Sequence, residues 1–217
     1  MSHVSTTSVR TTIRSATEQD VPALIGLCRM TFPTMLRWVA AGQHGKEWWR
    51  QVILTDATEV CVIERDNQIA AFSVLITNER IWKKERSFVQ RGFKSYFVGA
   101  VLHPLVVIRH NLLAFRSILL KGRQPVVYAA PSRRQWSPET RTWIELIATR
   151  PDMQGLGLGR MLLEHCERVT KDLGRTAIGL RVGTTNHRAK SLYTAQGFSC
   201  LRSDSKGQTY AKFIERG

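Results

Sequence analysis

A glycine-rich stretch two-thirds of the way along the chain constrains the fold most. The sequence RPDMQGLGLGRMLLEHC spans residues 150–166. The apolar run RTWIELIAT (141–149) comes before it and predicts a buried strand, and a helical pattern begins at Gly159. A glycine-rich turn between a strand and a helix presents backbone N–H groups at the positive end of the helix dipole. The stretch therefore predicts an anion site, most often one for phosphate.

Three phosphate-binding motifs can be compared with this loop. A P-loop ends in Gly-Lys-Ser/Thr, whereas Arg-Met follows Gly159 here. A Rossmann fingerprint needs G-x-G-x-x-G, and the third glycine of Gly155, Gly157 and Gly159 comes one residue too early. The pyrophosphate loop of acyl-CoA sites, Q/R-x-x-G-x-G/A, fits Gln154, Gly157 and Gly159 without adjustment. A tight strand-to-helix turn that binds no ligand stays open as the alternative.

The elements before this loop follow from local signals. Thr17 is a plausible N-cap for a helix over TEQDVPALIGLCRMTF, and a second helix, 35–54, is expected to be interrupted near Gly42 and Gly45. Two β-rich runs around Asp66 and Asn67 predict a hairpin.

The elements after the loop begin with a helix from Gly159 to Gly174, and a strand over 176–182 follows it. A short helix capped by Asn186 and two closing strands complete the chain. The apolar stripe of the loop helix is predicted to be Leu162, Cys166, Val169 and Leu173. The whole order is β-α-α-β-β, an insert, then β-α-β-α-β-β, which indicates a single α/β or α+β sheet domain.

A second motif lies downstream of the loop at a consistent separation. Residues 186–198 read N-x-x-A-x-x-L-Y-x-x-x-G-F. With the loop, the segment 141–200 resembles the GNAT family of acetyl-CoA-dependent N-acyltransferases, and IRSATEQDVPALIGL is more loosely similar to that family's opening. The resemblance implies a mixed, largely antiparallel sheet flanked by helices over 9–217, after a flexible tail at 1–8. It does not extend over 79–140, which we interpret as a basic, apolar, helical insert before the central cofactor-binding strand.

The resemblance also implies acetyl-CoA as co-substrate and no metal. In the family, the backbone of the strand before the loop bonds pantetheine, loop amides hold the pyrophosphate, and a residue at the position of Asn186 helps to hold the cofactor. The implied cofactor-binding residues are Ile147, Ala148, Thr149, Gln154, Gly155, Leu156, Gly157, Leu158, Gly159, Arg160, Asn186 and Tyr193.

Two residues are implied to be catalytic. Tyr193 occupies the position where the family usually has the acid that protonates the leaving thiolate, and a packed tyrosine is the alternative. Glu145, the only acid in its strand, is the candidate base or ligand of the substrate amine, and an ion-paired structural carboxylate is the alternative. Cys166 is assigned to the helix core and His187 to an exposed helix start, so neither is expected to be catalytic.

The charge of the chain points to an acidic partner. The formal net charge is +15, and residues 81–134 hold 11 Lys and Arg against one acid, Glu85. Basic residues interleaved with Phe, Leu and Ile favour an anionic membrane surface or an acidic, partly apolar acceptor. A helical lid with solvated charges is the alternative, and the lack of a recognisable module disfavours nucleic acid.

The remaining expectations concern compartment and acceptor. The four cysteines are widely spaced, and the N-terminus lacks a signal-peptide pattern. Both favour free thiols and a cytoplasmic protein, with peripheral contact to the inner face of the membrane as an option. The expected reaction is acetyl transfer to a primary amine of a small molecule, such as an amino sugar or another acidic or membrane-associated acceptor. A non-catalytic acyl-CoA-binding module, transfer to protein or RNA-associated amines, and a homodimer stay open.

Overall fold

The computed structural model describes residues 10–32, 42–91, 126–127, 136–205 and 207–215. The predicted tail, the first part of the predicted helix at 35–54 and most of the predicted insert lie outside the described residues. Within the described ranges, no helix has the length and apolar character needed to cross a membrane.

The described elements alternate between strands and helices. Short 3-10 turns occupy Glu18–Asp20 and Pro151–Met153. In chain order the strands and α-helices are β1 (Thr11–Ser15), α1 (Val21–Thr31), α2 (Gly42–Leu54), β2 (Thr58–Arg65), β3 (Gln68–Ile76), α3 (Glu79–Arg91), β4 (Val126–Val127), β5 (Arg141–Thr149), α4 (Leu158–Asp172), β6 (Ala177–Val182), α5 (His187–Ala195), β7 (Ser199–Asp204) and β8 (Gly207–Phe213).

The chain divides into two compact units. The first contains the residues up to 77 together with 144–169, and the second contains 78–143 together with the residues from 170 onward. Both β5 and α4 therefore run from one unit into the other. In the first unit the strand order is β1-β2-β3-β5, and in the second it is β6-β8-β7-β4.

The hairpin of the first unit is confirmed. β2 and β3 pair antiparallel, with Arg65 opposite Gln68 beside the turn. Asp66 and Asn67 have φ angles of 51° and 60°, so both adopt left-handed backbone. A two-residue turn of this kind matches the twist of the strands it joins, and Asn and Asp tolerate it better than most residues.

The strands of the first unit are covered on both faces. On one face, Phe72 of β3 meets the edge of Trp49 of α2, with ring centroids 5.3 Å apart. On the other face, Ser73 Oγ accepts a hydrogen bond of 3.5 Å from Cys166 Sγ of α4. A buried cluster joins the hairpin to the start of α4 and contains Cys61, Ile63, Ala70, Ala71, Leu158 and Leu162. Burial of each leucine or isoleucine in this cluster stabilises the fold by about 1.5–3 kcal/mol.

Thr17, the predicted N-cap, caps the 3-10 turn Glu18–Asp20 that leads into α1. The carboxylate of Asp20 accepts a hydrogen bond of 2.7 Å from the Thr17 backbone N–H, and it is buried. Arg14 donates to both oxygens of Asp20, at 2.7 and 2.9 Å, and to Glu64 at 2.6 Å. A buried carboxylate needs such partners, and the hydrogen bond from Arg14 holds the pKa of Asp20 below its usual value.

The predicted interruption of the second helix near Gly45 is wrong, and the one near Gly42 is not tested because the residues before Gly42 lie outside the described ranges. α2 begins at Gly42 and continues through Gly45 to Leu54. A glycine inside a helix costs about 1 kcal/mol. Trp48 and Trp49 are both buried and contact each other edge to face at 5.0 Å, so aromatic packing outweighs this cost.

The loop helix is confirmed with one correction. Leu162 and Cys166 are fully buried, as predicted, but Leu173 is 47% exposed and lies beyond the last helical residue, Asp172. Gly174 has φ 64°, and its N–H donates to the carbonyl of Lys171. The left-handed glycine therefore ends the helix at Asp172, so the apolar stripe of the helix does not include Leu173.

The predicted helical insert contains more than helix. Its first part is α3, as expected, but Val126 and Val127 form β4 and pair antiparallel with β7. Residues 136–140 form a turn that leads into β5. The insert thus contributes an edge strand as well as a helix, because a strand with free hydrogen-bonding groups accepts a short partner.

Salt bridges attach α3 to residues near the start of β5. Arg141 donates to Glu79 at 2.7 Å, and Arg80 pairs with Glu139. The Arg141 guanidinium also lies 4.7 Å from the ring centroid of Trp136. The described ends of the insert are therefore held by charge and by an aromatic ring.

A glycine in β6 makes room for that ring. A Cβ added at Gly179 would collide with the Trp136 ring and would approach Trp143 Cε3 to 3.0 Å. Trp136 also contacts Phe213 of β8, with ring centroids 6.1 Å apart. Glycine in a strand often marks such a close approach.

Substitution of Gly179 tests this packing. We expect Gly179→Ala to lower the free energy of unfolding by about 1–3 kcal/mol, because the indole must move. Gly183→Ala is the matched control, since an added Cβ there meets no heavy atom within 4 Å. Its effect should stay within about 0.5 kcal/mol in urea denaturation. Equal stability of the two variants would contradict the assigned position of Trp136.

Candidate functional site

The glycine loop forms a tight path from β5 to α4. After Pro151–Met153, Gln154 is extended, and Gly155 and Gly157 have φ angles of 90° and 80°. Leu156 between them is 49% exposed, whereas Leu158 is 2% exposed and begins the helix. The two left-handed glycines therefore turn the chain so that a buried leucine starts α4.

The geometry of the loop fits an anionic group such as a pyrophosphate. The first turn of any α-helix has backbone N–H groups without partners inside the helix, and these face outward at the positive end of the dipole. A Cβ added at Gly157 would meet no heavy atom within 4 Å, so space beside the backbone is open. Gln154, Gly155, Leu156 and Gly157 are all exposed.

Arg160, which is predicted to help bind the pyrophosphate, forms an ion pair with a neighbour on α4. Arg160 Nε donates to Glu164 at 2.6 Å, one helical turn away, and both side chains are largely exposed. Such a surface pair is weak, so Arg160 can exchange this partner for an anion at little cost. Its role in binding the pyrophosphate stays a prediction.

The predicted residues of β5 lie in the first unit with the loop. Ile147 packs against the cluster that contains Leu158 and Leu162, and Ala148 is buried. Glu145 and Thr149 are half-buried. Packing of Ile147 fixes the strand, which is the condition for its backbone to offer hydrogen bonds in a constant geometry.

Asn186 is the predicted cap of α5, and the structure confirms it. Its side-chain oxygen accepts a hydrogen bond of 3.1 Å from the N–H of Ala189. The role of Asn186 in holding the cofactor stays a prediction. His187 begins the helix and is exposed, as expected.

Tyr193 lies on the buried side of α5. It is 5% exposed, and its ring packs against Phe198 and Tyr210, with centroids 6.1 and 6.2 Å away. Burial raises the pKa of Tyr193 to about 12. The phenol is therefore neutral at physiological pH and keeps a proton that it can donate.

The predicted site residues thus fall into two groups. The first unit brings together Glu145, the backbone of 147–149 and the loop at 154–160. The second unit holds Asn186 and Tyr193 on α5.

The cysteines fit the sequence analysis. All four cysteines are free thiols. Burial raises the pKa of Cys28, Cys61 and Cys166 to about 12, so these thiols are not poised as nucleophiles. The described ranges contain no group of three or more His, Cys, Asp or Glu side chains that could hold a metal ion.

Comparison with known proteins finds a family match over part of the chain. Residues 104–198 match the acetyltransferase (GNAT) family. No curated protein sequence matches the chain. The GNAT match supports the predicted class of enzyme, an N-acetyltransferase that depends on acyl-CoA.

Solved structures share the fold at low identity. The PaiA N-acetyltransferase from Thermoplasma acidophilum, in complex with coenzyme A, has a TM-score of 0.58 and 14% identity over 94% of this chain and 99% of its own. The ribosomal-protein-S18-alanine N-acetyltransferase from Escherichia coli has 0.54 and 17%, with 96% of each chain covered. YncA, a putative acetyltransferase from Salmonella typhimurium with acetyl-CoA, has 0.55 and 11%, again over 96% of each. These similarities confirm the predicted GNAT-type fold.

The family match begins at residue 104, within the predicted insert 79–140. The match therefore reaches further toward the N-terminus than the two sequence motifs do. The domain bounds of 9–217, with an insert at 79–140, stay a prediction.

Sequence reasoning gave no role to Arg150 and Asp152, which border the loop. Arg150 donates to both carboxylate oxygens of Asp152. The Arg-Pro-Asp spacing is the signal that could have indicated this pair.

Proposed function

We propose that this GNAT enzyme transfers an acetyl group from acetyl-CoA to a primary amine of a small molecule. The observation that carries the proposal is the loop 154–160, where two left-handed glycines open the start of α4. Two of the similar structures contain coenzyme A or acetyl-CoA. The anion that this loop would hold is the pyrophosphate of that molecule.

The residues of the first unit would bind and orient the acyl donor. The amides from Gly155 to Arg160 would bond the pyrophosphate, and the backbone of 147–149 would bond the pantetheine arm. Asn186 of the second unit would contribute its amide nitrogen. Because main-chain groups on packed elements supply most of these contacts, the site is held in place before the ligand arrives.

The chemistry needs an electrophile, a base and an acid. Acetyl-CoA supplies a thioester when bound. Glu145 would hold the ammonium of the acceptor or accept its proton, so that a neutral amine attacks. A backbone N–H of β5 would stabilise the negative charge that develops on the carbonyl oxygen. Tyr193 would donate a proton to the departing sulfur. Burial keeps the phenol protonated at neutral pH, although a pKa raised to about 12 also makes it a weak acid.

The acceptor that we propose is acidic, either soluble or at an anionic membrane surface. Support comes from the net charge of +15 and from the 11 basic residues against one acid between 81 and 134. Lys83, although it pairs with Glu79, is 67% exposed on α3.

Long-range attraction should raise kcat/KM for an acidic acceptor above that for its neutral analogue, and added salt should remove the difference. Equal values at low salt would reject an acidic acceptor.

Substitution at Gly157 tests the donor site. Gly157→Asp should weaken binding of coenzyme A roughly 10²-fold, because a carboxylate would face the pyrophosphate at short range. Gly157→Asn is the matched control: it has nearly the same shape and tolerates left-handed backbone, but carries no charge. Calorimetry should place the Asn variant much closer to wild type. Wild-type affinity in the Asp variant would exclude the loop as the pyrophosphate site.

Substitution of Tyr193 tests the acid. Tyr193→Phe removes only the hydroxyl and keeps the ring that packs on Phe198 and Tyr210, so folding and donor affinity should be retained. The rate of the chemical step should fall about 10²-fold or more. In the wild type, ionisation of this phenol should not lower the rate below pH ~10, because its pKa is about 12. An unchanged chemical step in Tyr193→Phe would make Tyr193 a packing residue.

A further inference from the structure

Arg150 connects the entrance of the glycine loop to the hairpin. It is the first residue after β5, and its backbone N–H donates to the carbonyl of Ala70 in β3 at 2.8 Å. Its Nη1 donates to Gln68 Oε1 at 2.5 Å. Its Nε and Nη2 donate to the two oxygens of Asp152, at 3.1 and 2.8 Å. One side chain thus bonds to residues 82 positions before it and two after it.

These bonds fix the path that leads into the loop. Pro151 restricts the backbone, and the N–H of Met153 donates to the carbonyl of Arg150 at 3.0 Å. Met153 packs against the buried cluster at the start of α4. Gln154 and Gly155 follow directly, so the direction in which the loop leaves β5 depends on the turn at 150–153.

The guanidinium of Arg150 is oriented toward protein groups. Two of its nitrogens bond to Asp152 and a third bonds to Gln68, so its planar fork is engaged by a carboxylate and an amide. The hydrogen bond from Arg150 holds the pKa of Asp152 below its usual value. A guanidinium held in this way is better placed to fix the geometry of the turn than to contact a phosphate directly.

We propose that Arg150 is a positioning residue, which with Asp152 and Gln68 sets the pyrophosphate loop in its binding geometry. This inference rests on the proposed function of the loop. The pair is largely at the surface, with 24% and 58% of the side chains exposed, so it adds little to overall stability. Its effect should appear in ligand binding, because a loop that is ordered in advance loses less entropy when the ligand binds.

Two single variants separate positioning from direct contact. Arg150→Gln and Asp152→Asn both break the bidentate pair and change little volume. If Arg150 positions the loop, both should weaken coenzyme A binding by roughly tenfold and raise KM for acetyl-CoA, with kcat at saturating donor and acceptor within about twofold of wild type. The double variant should bind no more weakly than Arg150→Gln alone, because the pair with Asp152 is already lost in that variant.

A direct contact between Arg150 and phosphate predicts the opposite sign for Asp152. In that case Asp152→Asn would release the guanidinium and would leave coenzyme A binding unchanged or tighter. If Arg150 positions the loop, Arg150→Lys should bind coenzyme A more tightly than Arg150→Gln but more weakly than wild type, because an ammonium cannot form the bidentate pair. Thermal melting of each variant checks that the fold is retained.

The measurement is calorimetric titration of the full-length protein with coenzyme A, followed by steady-state kinetics. Weaker binding in both Arg150→Gln and Asp152→Asn supports positioning. Unchanged or tighter binding in Asp152→Asn overturns it, and so does wild-type affinity in Arg150→Gln. Absence of coenzyme A binding in the wild type would reject the proposed function, and this inference with it.

Discussion

The candidate site depends on one backbone constraint, the turn that joins β5 to α4. Within a few residues the chain must leave the strand, place Leu158 in the core and begin a helix. Left-handed backbone at Gly155 and Gly157 makes this turn. Burial of Leu158 and Leu162 then holds the helix start, and the space beside Gly157 is open. Most side chains at either glycine would strain this left-handed turn.

Features of the fold that depend on a few neighbouring residues could be predicted from the sequence. The turn at Asp66 and Asn67, the cap at Asn186 and the stop at Gly174 each need only a few neighbouring residues, and all three are confirmed. Predictions failed at the extent of the helices, which depends on packing as well as on neighbouring residues. The helix through Gly45 persists because tryptophans farther along it are buried, and Leu173 is exposed because a glycine turn ends the helix before it.

The same distinction applies to the candidate site. The loop and Tyr193 were found from motifs, because the backbone of a ligand site imposes fixed spacings on the sequence. The burial of Tyr193 and its raised pKa depend on Phe198 and Tyr210, and the bond from Arg150 to Gln68 spans 82 positions, so neither follows from spacing. The identity of the amine acceptor is even harder to predict from the sequence. The GNAT scaffold serves many amines, and the site rather than the fold sets the function.

Acetyl transfer to an amine is tested most directly by release of coenzyme A thiol from acetyl-CoA in the presence of single amines. A suitable panel contains a neutral amino sugar, its phosphorylated form and an amine lipid in anionic vesicles, with mass spectrometry of the products. The proposed function predicts that thiol release requires an amine and equals the amount of N-acetylated product, with the acidic acceptors preferred. Tight binding of acetyl-CoA without amine-dependent thiol release, across a panel extended to peptide amines, would contradict it and would indicate a binding module.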